Sequence, residues 1–292
     1  MKRPLVLVII NYNDAVTTSR LVKNVESYTS LAKILIVDNG STDDSFHLLK
    51  ALENKKVEVI RPAENKGFAA GLNYGAKKAI QEFNACDIIF SNADIIIQKN
   101  QDLARLQQVL QQEKIGMLGP GVSEHGTLNR GWKIPSPYQE VLANLPAVGK
   151  KFQHKYQHYE ESRYQQPVTK VEAVSGCFFL MPSEVLEQVN FFDEATFLYY
   201  EENIMGKKLA AKNIPLAICN EVTIIHDHSV SIDKNVSYIN KFKILKKSQY
   251  YFEKYYNQAS KLALLLLSMT AKLTLLTLKI RVLFASHKGG KK

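Results

Sequence analysis

The first half of the chain alternates short apolar runs with longer segments in which apolar residues recur every three to four positions. The short runs are rich in Val and Ile and predict β-strands at 5–10, 34–37, 57–60 and 87–90. The longer segments predict helices over about 16–30, 44–54, 69–83 and 100–113. Such alternation is typical of a mostly parallel sheet with helices on both faces, so we expect a Rossmann-like α/β domain.

The pattern changes near residue 119. The stretch 119–167 has little periodicity and several turn signals, among them Pro135 and Pro137, and it predicts a long irregular segment. Segments of this length inside a domain are usually functional or mobile. Regular patterning resumes at 171–181, followed by helices at 183–189 and 203–212 and a last strand at 217–226.

The end of the chain has a pattern of its own. At 100° per residue, one narrow helical face collects Lys254, Lys261, Ser268, Lys272, Lys279 and Ser286. The other faces between 262 and 284 are mainly apolar, with Arg281 the exception. Because Lys272 interrupts a would-be transmembrane span, we expect an amphipathic helix lying in the membrane interface. The alternative is packing on the body or on a second subunit, as in a homo-oligomer.

Charge supports this division of the chain. The net charge is +10, but residues 241–292 alone carry +11, so the remainder is close to neutral at −1. A basic tail on a neutral body predicts an anionic membrane surface as partner and no nucleic acid. The three cysteines are odd in number and form no CxxC pair, which predicts free thiols in a reducing compartment. With no signal-peptide pattern at the N-terminus, we expect a cytoplasmic protein, peripheral on the inner face of the membrane.

Small polar and acidic residues follow two of the predicted strands. Asp38 opens the segment 38–43 after the second strand, and Asn92 and Asp94 follow the fourth. Ligands of open α/β sheets bind outside the carboxyl ends of the strands. Carboxylates placed there can hold a hard cation or the polar edge of a nucleotide, so these residues predict a nucleotide-plus-metal site.

Several ordered motifs resemble one enzyme family. Segments 8–13, 36–43, 65–73, 91–94, 176–179, 192–194 and 197–202 are similar to the family-two glycosyltransferases, most closely to the bacterial rhamnosyltransferase-like set that builds capsular and other surface polysaccharides. The resemblance covers about 4–230 and implies an A-type glycosyltransferase fold that uses a nucleotide-diphosphate sugar. It divides the chain into a catalytic domain at 1–236, with a nucleotide-binding half (1–118) and an acceptor half (119–236), and a helical tail at 237–292.

The resemblance assigns the nucleotide site to residues of the first half. The carboxylate of Asp38 would accept the imide N–H of uracil or thymine, and the ring of Tyr12 would lie against the base. The full predicted set is Asn11, Tyr12, Asn13, Asp38, Asn39, Asn65, Gly67, Asn73 and Asn92. For Asp38 the alternative is a turn residue that caps the following helix.

The metal site follows from the same resemblance. Asn92-Ala93-Asp94 occupies the position of the family's Asp-x-Asp motif, with Asn92 in place of the first acid. Mg²⁺ or Mn²⁺ would neutralise the leaving diphosphate. Asp94 would then be the main protein ligand, completed by His226 after the last strand; each could instead be a turn former or a packing residue.

The catalytic acids come from the segment before the helix at 203–212. Glu202 is predicted to be the base that takes the acceptor proton, with Glu201 orienting the acceptor hydroxyl. The alternative is that both acids only favour the helix start. The family often has another acid two residues later, where this chain has Ile204. Trp132 is a candidate for stacking on an acceptor sugar or for ordinary packing.

Together these features predict an inverting glycosyltransferase. It would move a sugar, with rhamnose favoured, from a dTDP- or UDP-sugar to a lipid-linked oligosaccharide or growing polysaccharide in bacterial surface polysaccharide synthesis. A sugar-nucleotide nucleotidyltransferase is one alternative, although residues 10–13 replace the Gly-rich loop expected of it. The other alternative is a catalytically inactive membrane-bound scaffold, suggested by Asn92 and Ile204.

Overall fold

The computed structural model of the protein describes residues 3–227 and 238–289. The predicted boundary at residue 236 falls outside these ranges. For residues 279–289 only the secondary structure is described, so the predicted roles of the Lys279, Arg281 and Ser286 side chains also lie outside the described part of the chain. One mixed sheet organises the described chain, in the strand order β3-β2-β1-β4-β9-β6-β10-β5. Two short strands lie off this path, β7 beside β6 and β8 beside β10.

The strands are β1 (Leu5–Asn11), β2 (Lys33–Asp38), β3 (Val57–Ile60), β4 (Asp87–Asn92), β5 (Ile95–Ile96), β6 (Met117–Glu124), β7 (Thr127–Asn129), β8 (Val168–Lys170), β9 (Phe178–Pro182) and β10 (Leu216–His226). Strands β1 to β4 pair in parallel, as do β6 and β10. Strand β9 lies antiparallel between β4 and β6. The predicted α/β fold is therefore confirmed, with a sheet that is parallel in its first half and mixed in its second.

The helices are α1 (Ala15–Val25), α2 (Ser45–Lys50), α3 (Phe68–Phe83), α4 (Asn100–Gln112), α5 (Pro137–Ala143), α6 (Gly149–Gln157), α7 (Ser183–Gln188), α8 (Glu201–Ala211), α9 (Tyr238–Tyr255) and α10 (Lys261–Gly289). A 3₁₀ turn lies at Glu161–Gln165. Side chains alternate across β1, so Leu7 and Ile9 pack into one core under α1 and α4, and Val6 and Val8 into a second core under α3. Helices thus cover both faces of the sheet, as the sequence predicts.

The prediction of an irregular stretch at 119–167 is wrong. Strand β6 extends through Glu124, and α5 and α6 follow within the stretch. The two prolines are helix-start signals: Ser136 and Gln139 form a capping box, and Pro137 lies in the first turn of α5, where a missing N–H costs nothing. The apolar stretch at 171–181 is likewise shorter as a strand, because only β9 (Phe178–Pro182) pairs within the sheet.

The C-terminal helices pack on the body formed by the sheet and the helices before them. Helix α9 buries Ser248, Phe252 and Glu253, and α10 buries Ala263 and Leu267 beside α5 and α9. A second face of α10 stays exposed although it is apolar; its members are Leu262, Leu265, Met269, Leu273 and Leu276, each 50–57% exposed. Within the described residues, Lys261–Leu278 is the one helical segment long and apolar enough to cross a bilayer. The tail therefore combines both expected behaviours, packing on the body and presenting apolar surface.

Candidate active site

Five strands of common direction end at the same edge of the sheet. Their last residues are Asn11 (β1), Asp38 (β2), Asn92 (β4), Glu124 (β6) and His226 (β10). Apolar side chains hold each strand up to that edge, and polar side chains begin where the core stops. This is the edge at which open α/β sheets bind ligands.

Asp38 is fully buried, and only one of its two carboxylate oxygens accepts hydrogen bonds from the described residues. Its Oδ1 accepts from Asn11 Nδ2 at 2.9 Å and from the Ser41 hydroxyl. Its Oδ2 accepts no hydrogen bond from the described residues, and Arg61 Nε lies 3.4 Å away. A buried carboxylate oxygen without a hydrogen-bond donor is costly unless a ligand supplies one. Asp38 Oδ2 is therefore the oxygen that still lacks a hydrogen-bond donor among the described residues. Arg61 offsets part of the negative charge of this carboxylate.

Three residues at the end of β1 surround Asp38 or lie close to it. Tyr12 is 36% exposed at the end of β1, where its ring is accessible to a planar ligand. Asn13 adopts a left-handed backbone (φ 52°) and exchanges hydrogen bonds with Thr42 across the two strand ends. Asn11 is buried, and its amide is shared between Asp38, Ser41 and Thr18. The buried Asn11 thus orients Asp38 through its hydrogen bond, while Tyr12 and Asn13 lie nearer the solvent.

Three of the predicted nucleotide residues organise the loop before α3. Asn65 Oδ1 accepts from Gly67 N, and Asn39 Nδ2 donates to Gly67 O at 3.1 Å. Gly67 has φ 105°, and a Cβ there would lie 2.4 Å from the carbonyl oxygen of Phe197. Only glycine therefore lets this loop approach the segment that leads to the acidic pair.

Asn73 occupies a different environment from the other predicted nucleotide residues. It lies buried on α3, where Nδ2 donates to Phe192 O and to Glu194 Oε1 and Oδ1 accepts from Phe192 N. Both N–H groups of this amide and its carbonyl oxygen thus have partners within the protein. Asn73 thus links α3 to the 192–194 segment by hydrogen bonds.

Asn73→Ala is expected to reduce stability and leave nucleotide affinity unchanged. Truncation leaves the backbone N–H and C=O of Phe192 buried without these partners, at a cost of about 1–3 kcal/mol. Urea unfolding should show a lower midpoint, and titration with UDP should give the parental Kd. A weaker Kd at parental stability would instead restore Asn73 to the nucleotide site.

A group of side chains that could hold a metal ion, called here the metal-ligating cluster, lies at the ends of β4, β6 and β10. His226 Nε2 is 3.1 Å from Asp94 Oδ1, and His226 Nδ1 is 2.6 Å from Glu124 Oε1. The Cys177 thiol completes a group in which the ligand atoms of Glu124, Cys177 and His226 lie within 4.8 Å of one another. Carboxylate and imidazole donors together suit Mn²⁺ or a similar divalent ion.

The electrostatics of the cluster favour positive charge. Burial disfavours the imidazolium form of His226, yet hydrogen bonds to Asp94, Cys177 and Glu124 raise its pKa to about 11. A histidine with such proton affinity reports a strongly negative potential at its ring. The donor set and this potential both fit a divalent cation.

Asn92 stands beside the cluster at the end of β4. Its backbone N–H donates to Cys177 O at 2.8 Å, which joins β4 to the turn before β9. Cys177 therefore links the predicted Asp-x-Asp position to the metal-ligating group. Neither Cys177 nor Glu124 was predicted. Glu124 follows the segment 119–123 (Gly-Pro-Gly-Val-Ser), which differs from the apolar run before Asp38 and belongs to the stretch that was predicted to be irregular.

The acidic pair begins α8 after two unusual residues. Tyr199 and Tyr200 both have left-handed backbones, with φ of 74° and 73°. Gly176 makes room for the second acid, because a Cβ at Gly176 would lie 2.0 Å from Glu202 Oε1. The backbone N–H of Gly176 is also near enough to the Glu202 carboxylate to favour its charged form, which lowers the pKa of Glu202 against the effect of burial. Since Gly176 precedes Cys177, the Glu202 carboxylate is placed next to the metal-ligating cluster.

Burial sets the protonation of the pair. Burial raises the pKa of Glu201, and the neighbouring Glu202 charge raises it further. Burial also raises the pKa of Glu202, against backbone N–H bonds that stabilise its charged form. One Glu201 oxygen is buried with no hydrogen-bond partner among the described residues. Two coupled carboxyls of raised pKa are suited to taking up a proton near neutral pH.

Trp132 lies near the acidic pair. Its indole N–H donates to Asn203 Oδ1 at 2.9 Å, and its backbone pairs with Ala173. Trp132 is partly exposed, so the ring has both a fixed edge and an accessible surface. Both predicted roles, packing and stacking on a sugar, remain compatible with this position.

Comparison with known sequences points to one family. The family model described as Glycosyl transferase family 2 matches residues 6–189, more than half of the chain. The low-salt glycan biosynthesis hexosyltransferase Agl10 of Haloferax volcanii is 24% identical over 232 residues, which are 77% of this chain and 67% of that protein. A poly-beta-1,6-N-acetyl-D-glucosamine synthase of Staphylococcus aureus is 24% identical over 71% of this chain and 47% of its own length. The chain thus spans about two thirds of the first relative and about half of the second.

Solved structures share the fold. GalNAc-T7 with UDP, GalNAc and Mn²⁺ has a TM-score of 0.58 at 16% identity, covering 77% of this chain and 44% of that one. The mannosyltransferase PcManGT of Pyrobaculum calidifontis, in complex with GDP-Man and Mn²⁺, has a TM-score of 0.56 at 12% identity, covering 99% and 83%. At these identities the likeness establishes the A-type glycosyltransferase fold.

Proposed function

This chain belongs to glycosyl transferase family 2, and we propose that it is an inverting hexosyltransferase of polysaccharide biosynthesis. The donor is a dTDP- or UDP-sugar, with rhamnose the favoured sugar. The acceptor is a lipid-linked oligosaccharide or growing polysaccharide of a bacterial surface glycan, such as a capsule. The observation that carries the proposal is the meeting of Asp38, the Asp94–His226 cluster and Glu202 around one sheet edge.

The nucleotide is held at the ends of β1 and β2. Asp38 Oδ2 accepts the imide N–H of the base, an edge that uracil and thymine share. The Tyr12 ring lies against the base, and Asn13 bonds its edge or the ribose. Arg61 Nε lies 3.4 Å from Asp38 Oδ2 and offsets part of the carboxylate's negative charge.

The diphosphate is placed at the metal-ligating cluster. Asp94 and His226 would hold Mg²⁺ or Mn²⁺, with Glu124 and Cys177 close enough to contribute. Such an ion would neutralise the charge of the departing nucleoside diphosphate. Asn92 supports the site from β4 as a neutral oxygen donor.

Transfer proceeds by a single displacement at the anomeric carbon. The acceptor oxygen forms the new bond to that carbon while its proton passes to a Glu202 carboxylate oxygen. The bond to the diphosphate oxygen breaks, and the leaving group departs with the bonding pair. The space left by Gly176 accommodates the Glu202 carboxylate, and Glu201 orients the acceptor hydroxyl.

The experiment that tests this proposal is calorimetric titration of the full chain with UDP and dTDP, each with and without Mn²⁺. We expect one of the two nucleotides to bind and Mn²⁺ to strengthen its binding. GDP is the control, because its base presents a different edge to Asp38. Preference for GDP would overturn the donor assignment, and absence of binding to all three would overturn the enzyme's proposed donor site.

We also propose that α10 places the enzyme on the cytoplasmic face of an anionic membrane. The lysines at 261 and 272 are exposed, and the apolar row Leu262, Leu265, Met269, Leu273 and Leu276 lies beside them. Because Ala263 and Leu267 pack on the body, α10 fits a position along the interface. The exposed row would enter the headgroup region while the lysines meet anionic lipids.

Replacing Leu265, Leu273 and Leu276 by Gln should weaken binding to phosphatidylglycerol vesicles. Each half-exposed leucine contributes about 1 kcal/mol on insertion, so the triple variant should bind roughly 100-fold more weakly. Vesicle sedimentation measures this directly. Leu48→Gln, at a leucine 54% exposed on α2, is the matched control and should bind as the parent does. Parental binding by the triple variant would refute the anchor.

A further inference from the structure

Helix α9 contacts the segment that leads into the acidic pair. The Ser248 hydroxyl donates to Leu198 O at 2.7 Å, and the Phe252 ring packs on Tyr200 with centroids 5.3 Å apart. Ser248 is 2% exposed and Phe252 is fully buried. The two side chains lie one turn apart on α9, so a single face of the helix holds both contacts.

The same helix secures the beginning of the segment. The hydroxyls of Tyr251 and Tyr256 both donate to Asp193 Oδ2, at 2.8 and 2.5 Å. These two bonds also lower the pKa of Asp193 against the effect of its burial. The stretch from Asp193 to Tyr200 is therefore fixed to α9 and its end at three points.

The segment from Asp193 to Tyr200 contains a backbone conformation that depends on contacts with other parts of the protein. Tyr199 and Tyr200 are consecutive non-glycine residues in the left-handed region, a conformation that persists only where surrounding contacts enforce it. Tyr200 caps α8, and Ile204 N donates to its carbonyl oxygen. The rotation of the first turn of α8, and with it the direction of Glu202, depends on this pair.

Helix α9 and the residues directly after it are also anchored near α5. Gln249 Nε2 donates to Glu140 Oε2 on α5 at 2.8 Å, and Asn257 Nδ2 donates to Pro135 O at 2.9 Å. Both contacts are buried. Helix α9 thus joins the acceptor half near α5 to the segment before Glu202 as one packed unit.

We propose that Ser248 and Phe252 are positioning residues of the transfer reaction: they hold the Tyr199–Tyr200 turn and so aim the Glu202 carboxylate at the acceptor. Helix α9, which the sequence analysis assigned to the tail, is then also a support of the catalytic centre. This inference rests on the proposed role of Glu202 as base. It requires no contact between α9 and the substrate.

The test compares Ser248→Ala and Phe252→Leu with the full-length parent. Ser248→Ala removes one hydroxyl, and Phe252→Leu keeps an apolar side chain while it loses the ring contact, so both variants should fold. We expect kcat to fall about 10- to 100-fold, because small misplacements of a reacting group cost rates of this order. The KM for donor sugar and the Kd for UDP should stay parental, since the nucleotide site lies on β1 and β2.

Matched controls separate positioning from general damage. Tyr250→Leu changes an exposed aromatic residue of the same helix, and Ser268→Ala removes a hydroxyl that bonds only within α10. Both should keep the parental kcat. Parental kcat in Ser248→Ala and Phe252→Leu, or an equal loss of kcat and UDP affinity, would overturn the inference. If Glu202→Gln itself retained activity, the base assignment would fail instead, so the two failures are distinguishable.

Discussion

Glu202→Gln is expected to lower kcat by about 10³-fold while UDP affinity and fold stay intact, since a positioned base contributes roughly 10²–10⁴-fold. The amide keeps the shape of the carboxyl, so the room provided by Gly176 is still filled. It cannot take the acceptor proton. Steady-state transfer assays and UDP titration on the same preparation measure the two effects separately.

The pH profile of the parent enzyme gives a second measure of the same residue. The base must be deprotonated, so activity should rise with pH. Burial raises the pKa of Glu202, so this rise should be centred above the ordinary glutamate value of about 4.3. Carboxyls whose pKa is raised by folding disfavour the folded state as pH rises through that pKa. Glu202→Gln should therefore lose less stability than the parent on going from pH 5 to pH 8.

The control for this substitution is Glu187→Gln, at an exposed glutamate on α7. It should leave kcat and the pH profile unchanged. Near-parental transfer by Glu202→Gln would remove Glu202 from the role of base. The same result in Glu201→Gln alone would leave that role in place, because Glu201 is assigned to orientation.

Asp94→Ala is expected to abolish the effect of Mn²⁺ on UDP binding and to reduce kcat at least about 100-fold, because a metal-held leaving group is worth several kcal/mol. The substitution removes the carboxylate 3.1 Å from His226 Nε2. Titration with UDP, with and without Mn²⁺, measures the first effect.

A metal-free readout comes from His226. Among the groups that raise its pKa, the hydrogen bond to Asp94 is the strongest, so NMR titration should show a lower pKa in Asp94→Ala. Asp227→Asn is the matched control, since Asp227 is the neighbour of His226 and pairs with Arg20 at 2.9 Å on the surface. It should keep the Mn²⁺ effect. A full Mn²⁺ effect in Asp94→Ala would exclude Asp94 as a ligand.

The sequence predicted those features that depend on local pattern. Strand and helix periodicities identified the first four strands and the helices between them, because burial on both sheet faces leaves a readable trace in the sequence. Polar residues directly after apolar runs marked Asp38 and Asp94, because the carboxyl ends of parallel strands share one edge. The Glu201–Glu202 pair followed from its place in a recognisable motif.

The sequence was misleading where one signal had two meanings. Pro135 and Pro137 read as breakers of an irregular stretch, yet Pro137 starts α5. Asn73 lay in a motif of the nucleotide half, but its amide is occupied by Phe192 and Glu194. Such side chains are equally suited to ligands and to backbone groups, and only the fold decides which is near.

The sequence by itself therefore determined the α/β class, and it predicted at which edge of the sheet the residues of the proposed site lie. Only the tertiary structure brought Glu124 to His226 across 102 positions, placed Gly176 against Glu202, and seated α9 on the turn before that acid. The physical reason is the range of the interactions. Periodicity records which face of an element is buried, whereas a contact between distant segments depends on how the whole sheet and its helices pack.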